Sequence, residues 1–180
     1  ALPILQLWLN LFGHSIFAAR LLTLLFSAIL IWCLYQIVFL ELGHFPAIVA
    51  TFLLFTSWLY IRLSISVMIG IPSLALAMLA IYFLYRYKQN YYKIYLILSG
   101  GCLALSLQTK LFTVFLIPLI LLQILDFCSK TNEIKNNRLF FFKSISLWLI
   151  SLGLIYSLLG VLYQQFCNQE QLLLTHLKQP

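Results

Sequence analysis

The sequence predicts an all-α integral membrane protein. Its 180 residues are 63% hydrophobic and only 8% charged. Mean hydropathy is +1.02. Apolar runs long enough to cross a bilayer recur along the chain, each about 17–25 residues. A soluble domain carries about a quarter charged residues. The net charge of +7 is not gathered on one soluble face. Lys and Arg fall between the apolar runs, as topology signals do, which argues against a nucleic-acid partner.

Six spanning helices are predicted. The leading segment "LPILQLWLNLFG" is too short to span. Leu5, Trp8, Leu9 and Phe12 can share one helical face, with Gln6 and Asn10 elsewhere, so residues 1–14 suit a helix lying at the interface. The tail of a further span is the alternative. Residues 15–40 form the first span, followed by the connection "ELGHFP". The second covers 47–61 and stops at Arg62. The third starts within "SVMIGIPSLALAML" and ends near Tyr85, with Pro72 suited to a first turn. "RYKQNYYK" reads as a polar connection, and residues 94–107 as the fourth span. "QTK" makes a tight turn into the fifth, 111–127, with Pro118 inside it. "SKTNEIKNNR" is the one plainly solvated loop before the sixth span, 142–166. The chain is thus one membrane unit: an interfacial helix at 1–14, a bundle over 15–166 and a polar tail at 167–180.

With six spans, one set of connections holds Arg86, Lys88, Lys93, Lys130, Lys135, Arg138 and Lys143. The other holds Arg20, Arg62 and Lys110, with Lys178 in the tail. The positive-inside rule makes the richer set cytoplasmic and turns both chain ends outward. Cys33, Cys102, Cys128 and Cys167 lie far apart, without CxxC spacing, and read as small membrane hydrophobes rather than metal ligands or a disulfide frame. No Asn-x-Ser/Thr sequon occurs, and the start "ALPILQLW" has neither Met nor a basic leader. The chain therefore reads as a piece of a longer polypeptide, in a bacterial plasma membrane rather than the endoplasmic reticulum. Gly100 with Ala104, and Gly153, Ser157 and Gly160, offer close helix approach.

Three cations depart from the charge rule. Arg20 opens the first span, Arg62 closes the second, and Lys110 forms the turn between the fourth and fifth. None has an acidic neighbour: Glu41, Asp126 and Glu133 fall on the other side, and Glu170 in the tail. Each alone could snorkel to headgroups. Three at one level suggest a shared anion at headgroup depth, and a lipid phosphate fits, its oxygens held by Arg and Lys. Thr23 and Ser27 follow Arg20 at spacings of three and seven, giving that helix a polar face expected to turn inward. His14 could assist or be a surface histidine; His44 and His176 suggest no role. No Ser/His/Asp set can be assembled on one membrane face, and "SGG" lies inside a span rather than in a phosphate loop.

"LPILQLWLNLFGHSIFAARLLTLLFSAI" resembles a segment of the polytopic glycosyltransferases of the protein O-mannosyltransferase and aminoarabinose (lipid A) transferase type. In that family His-Pro-Pro precedes an aromatic-rich interfacial helix, a Phe-Gly turn, and Ala-Ala/Leu-Arg-Leu at the mouth of a span. Pro3, Trp8, Phe12-Gly13 and Ala18-Ala19-Arg20-Leu21 hold the matching places. "SGGCLALSLQTKLFTVFLIPLILL" is similar to the family's Gly-rich span ending in Leu-x-Thr-Lys before a Pro-containing helix, through Thr109, Lys110 and Pro118. Arg62 stands where the family has Ser/Thr-Arg. The resemblance covers about residues 2–127. It implies part of a glycosyltransferase C fold. It also implies an extracytoplasmic site, a dolichyl- or undecaprenyl-phosphate sugar donor, and inverting transfer with a carboxylate base.

Two departures qualify it. The family's catalytic carboxylate precedes the His-Pro-Pro segment, hence is expected upstream of Ala1, and the first Pro and the His are replaced by Ala1-Leu2. "LSISVMIGIPS" also lacks the family's second acid after the Arg62 position. The expected function is sugar transfer from a polyprenyl phosphate to a protein, lipid or glycan acceptor, in contact with membrane lipids and with no metal or other cofactor assigned. Arg20, Lys110 and Arg62 would hold the donor phosphate, and this chain by itself is expected to be inactive. The rivals are a transporter or flippase of an anionic lipid or solute, which would need midplane polar groups and a broken helix pair, and a non-catalytic membrane subunit.

Overall fold

The computed structural model describes residues 16–65, 70–130, 143–161 and 164. The interfacial helix at 1–14, His14 and the tail at 167–180 lie outside them, as does most of the "SKTNEIKNNR" loop. The described residues form helices and no strand. These are α1 (Ile16–Leu42), α2 (His44–Thr56), α3 (Trp58–Ile65), α4 (Gly70–Asn90) and α5 (Lys93–Thr109). A 3-10 turn (Leu111–Phe115), α6 (Leu116–Lys130) and α7 (Lys143–Val161) follow.

By length and composition α1, α4 and α7 can each cross a membrane. The α2–α3 pair, bent by 66°, is apolar enough to form a broken fourth span or a re-entrant loop. α5, at 17 residues, is about 25 Å long, a little short of a typical hydrocarbon core. Aromatic and aliphatic side chains crowd the outer surface; Phe45, Phe115 and Trp58 each expose three quarters or more of their area. With spanning helices of this length and composition, such a surface suits the hydrocarbon of a bilayer. The chain is an integral membrane protein.

The helices run further than the apolar runs suggest. α4 continues from Tyr85 to Asn90 because its cations lie back along the helix: Arg86 Nε donates to the Tyr82 hydroxyl at 2.9 Å, and Lys88 Nζ stands 5.2 Å from the Tyr85 ring centre. What remains of "RYKQNYYK" as a connection is Tyr91-Tyr92, with Tyr91 at φ 58. "ELGHFP" similarly shrinks to Gly43, at φ 93. Glycine suits that left-handed value because it has no Cβ to clash. His44 closes the hairpin, accepting or donating to the Tyr35 hydroxyl at 3.0 Å and packing 4.3 Å from the Phe39 ring.

The second expected span is broken rather than continuous. Ser57 is extended (φ −64, ψ 118), and Thr51 and Thr56 donate back to carbonyls three and four residues earlier, which loosens the helix before the break. The fifth span begins as a 3-10 turn. Pro118 has no N–H for the carbonyl of Val114, and regular α geometry begins only around it, at Leu116.

Paired contacts set the register. Leu30 of α1 shares a core with Ile71 and Ala75 of α4, and Trp32 lies 5.1 Å from Tyr82, so α1 and α4 run parallel. Ser73–Ser106 and Phe83–Tyr95 make α5 antiparallel to α4. α7 runs parallel to α5, with Ser151 Oγ donating to the Ile97 carbonyl at 2.9 Å and Gln108 Nε2 to the Tyr156 carbonyl at 3.2 Å. Gly100 and Gly101 allow that approach. A Cβ on Gly100 would stand 3.0 Å from Ser151 Oγ and 3.1 Å from the Trp148 carbonyl oxygen; one on Gly101 would stand 2.9 Å from Ile155 Cδ1. Gly153 and Gly160 face open space, so that part of the small-residue pattern does not pack within the described residues. Apolar transfer does not drive helices together in lipid, so such contacts and the interhelical hydrogen bonds hold the bundle.

Candidate functional site

The starts of α1 and α4 and the ends of α5 and α7 share one end of the bundle, by the register above. Arg20, Arg62 and Lys110 are exposed there. They come from three separate elements, and among the described residues no hydrogen bond or ion pair joins them to one another.

Arg20 is set by the polar face behind it. Thr23 and Ser27 are buried, as their spacing predicts. Thr23 Oγ1 donates to the Ala19 carbonyl at 3.0 Å. Ser27 meets Tyr60 of α3: its Oγ bonds the Tyr60 hydroxyl, which in turn donates to the Ser27 carbonyl at 2.8 Å. Arg20 stands two turns beyond Ser27 on the same face, about 10 Å along the axis. Arg62 follows Tyr60 by two residues. One buried double hydrogen bond therefore fixes α3, and Arg62 with it, against the helix that carries Arg20.

Lys110 sits in a turn braced from both sides. It caps α5 in extended geometry (φ −157, ψ 119), its N–H reaching the Ser106 carbonyl at 3.0 Å. Thr109 Oγ1 donates to the same carbonyl at 2.6 Å, and Thr113 Oγ1 to the Lys110 carbonyl at 2.9 Å. Ser106 Oγ donates to the Ser73 carbonyl at 2.8 Å, with the two serine hydroxyls 3.5 Å apart, tying the turn to the first turns of α4. Of these four hydroxyls the sequence motif singled out Thr109; the bracing by Ser73, Ser106 and Thr113 went unread, although Ser106, Thr109 and Thr113 recur at the three- and four-residue spacing of a helix face.

Among the described residues no carboxylate pairs with the three cations. Glu41 is the one carboxylate whose side chain is described, and it lies at the far end of α1, beside Tyr85. Twenty-one residues of helix separate it from Arg20, about 32 Å. It cannot act where Arg20 and Lys110 are.

Three exposed cations backed by satisfied hydroxyls can hold an anion but cannot by themselves remove a proton. The profile of the dolichyl-phosphate-mannose-protein mannosyltransferase family matches residues 2–156. The chain belongs to that family. The match extends past α6 into α7, beyond the segments whose motifs resemble it. No curated protein and no solved structure matches the chain. Family membership makes this a membrane glycosyltransferase of mannosyltransferase type, rather than a transporter. The bent α2–α3 pair is the broken helix that the transporter reading asked for. Transporters built on repeats place such breaks in corresponding halves, and the described residues hold one.

Proposed function

We propose that this member of the mannosyltransferase family transfers a sugar from a polyprenyl-phosphate donor to an extracytoplasmic acceptor, with Arg20, Lys110 and Arg62 around the donor phosphate and His14 as an auxiliary. The observation that carries the reading is the braced Lys110 turn, at one end of a bundle where Arg20 and Arg62 are also exposed and, among the described residues, none of the three pairs with a carboxylate. In the donor, the phosphate is a diester with one negative charge. An acceptor hydroxyl attacks the anomeric carbon, a carboxylate base takes its proton, and the bond from that carbon to the phosphate oxygen breaks. The departing polyprenyl phosphate gains a second charge. Cations already fixed at that oxygen stabilise this product-like charge more than the ground state, and so lower the barrier. The base is a carboxylate outside the described residues, since Glu41 is too far. The acceptor is a protein hydroxyl, lipid A or another envelope glycan, and the site opens on the outer face of the membrane.

The test is transfer from the lipid-linked donor by protein expressed from its complete gene. Arg20→Ala and Lys110→Ala are each expected to lower kcat/KM by about 10–100-fold, the effect of losing one charge-assisted contact. Full activity in both variants would overturn the assignment.

A further inference from the structure

At the opposite end of the bundle, the last turn of α4 and the first turns of α5 and α7 enclose a pocket of about 110 Å³. It is lined by Tyr87, Lys93, Leu96, Lys143, Ser144 and Leu147. Seventeen residues of α5 separate Lys93 from the Lys110 turn, about 25 Å, so this is not the donor site. Its floor is built: Tyr87 and Ser144 are buried, their hydroxyls 3.3 Å apart, and Leu96 and Trp148 are packed into the core beneath. Its rim carries two exposed ammonium groups from different helices, Lys93 and Lys143. Among the described residues neither contacts a carboxylate. Exposed Tyr91 and Tyr92 stand beside it, where aromatic side chains mark the headgroup level of a membrane protein.

A hydroxyl-lined floor, two exposed cations and an apolar wall at headgroup depth are complementary to a phosphate ester whose remainder is hydrocarbon. We propose that this pocket binds the phosphate of an anionic phospholipid. Lys93 and Lys143 hold its oxygens, Ser144 donates to it, and an acyl chain passes over Leu96 and Leu147. Basic pockets between spanning helices commonly take anionic headgroups. The bound lipid would bridge α5 and α7 where they begin, about two turns before Gly100 and Gly101.

The test uses the full chain in phosphatidylcholine nanodiscs, to which phosphatidylglycerol of the same acyl composition is added. Native mass spectrometry counts retained lipid, and thermal unfolding reports its effect. Phosphatidylglycerol is expected to be retained and to raise Tm, with added phosphatidylcholine doing neither. Lys93→Gln with Lys143→Gln should weaken retention by at least about tenfold. Lys88→Gln with Lys135→Gln removes the same net charge and should leave retention intact. Lys93→Arg with Lys143→Arg keeps the charge and must keep the lipid, which guards against a misfolded double variant. Equal retention by the Lys93/Lys143 glutamine variant, or loss by the Lys88/Lys135 control as well, overturns the site. A Tm rise of the same size from inorganic phosphate alone overturns the lipid as its source and leaves a soluble phosphate as the ligand.

Discussion

Tyr60 supports the candidate site more than any cation does, because it decides where Arg62 can be. Its hydroxyl donates to a main-chain carbonyl that α1 already uses in its own helix, and it receives the Ser27 hydroxyl. Interhelical hydrogen bonds in membranes are worth about 0.6 kcal/mol on average and up to about 1.7. Tyr60→Phe removes both bonds at once, so the upper part of that range applies. Reversible unfolding in bicelles should show a loss of about 1–2 kcal/mol, with KM for the lipid donor raised because α3 is released. An unchanged KM beside the stability loss would detach Arg62 from the donor. Ser106→Ala makes the matching case for Lys110. It removes the hydroxyl that donates to the Ser73 carbonyl and frees the turn from α4. The expected result is a lower kcat/KM with little change in expression, read in the same transfer assay. The inward face of Thr23 and Ser27 was legible from its spacing behind Arg20. Tyr60 was not, since an aromatic residue in "TSWLYIRL" looks the same whether it faces lipid or donates a buried bond.

Helix boundaries follow from two kinds of signal, and the sequence carries one better than the other. Backbone-forced turns are visible: Gly43 sits at φ 93, where any Cβ is strained although no atom lies within 4 Å of it. Gly43→Ala should therefore cost about 1–3 kcal/mol, through backbone strain alone. Close packing is visible only as a possibility. Gly100 and Gly153 look alike in sequence, yet a Cβ on the first meets Trp148 and Ser151, while one on the second meets nothing. Gly100→Val should separate α5 from α7 and cost about 1–3 kcal/mol. Gly153→Ala should be neutral or stabilise by up to about 1 kcal/mol. Unfolding of the two variants under one condition decides this, and equal effects would contradict the packing described. The C-terminal end of α4 was misplaced because charge was taken as a stop. Tyr82 and Tyr85 provide partners for Arg86 and Lys88 along the helix itself, so the charge continues it. The break at Ser57 was missed for the opposite reason: the residues around it are apolar enough to continue a span.

Across the whole molecule, the apolar runs and their order were enough to read an all-helical membrane protein, and the ordered motifs around Arg20 and Lys110 were enough to read its family. What they could not give was which helices touch. The parallel pairing of α1 with α4 and of α5 with α7 comes from contacts such as Trp32–Tyr82 and Ser151–Ile97, which leave no trace in periodicity. The alternation of spans already puts Arg20, Arg62 and Lys110 on one side and Lys93 with Lys143 on the other; the pairing sets Lys93 and Lys143 on neighbouring helices. Together they turn a charge count into two cationic clusters at opposite ends of the bundle. The central claim is that the first of these holds the donor phosphate. Equilibrium binding of a polyprenyl phosphate to the protein from its complete gene, in neutral nanodiscs, tests it most directly. Arg20→Gln with Lys110→Gln is predicted to weaken binding by at least about tenfold, while Lys88→Gln with Lys135→Gln leaves it unchanged. Equal affinity in the Arg20/Lys110 variant and the unmodified protein would contradict the account.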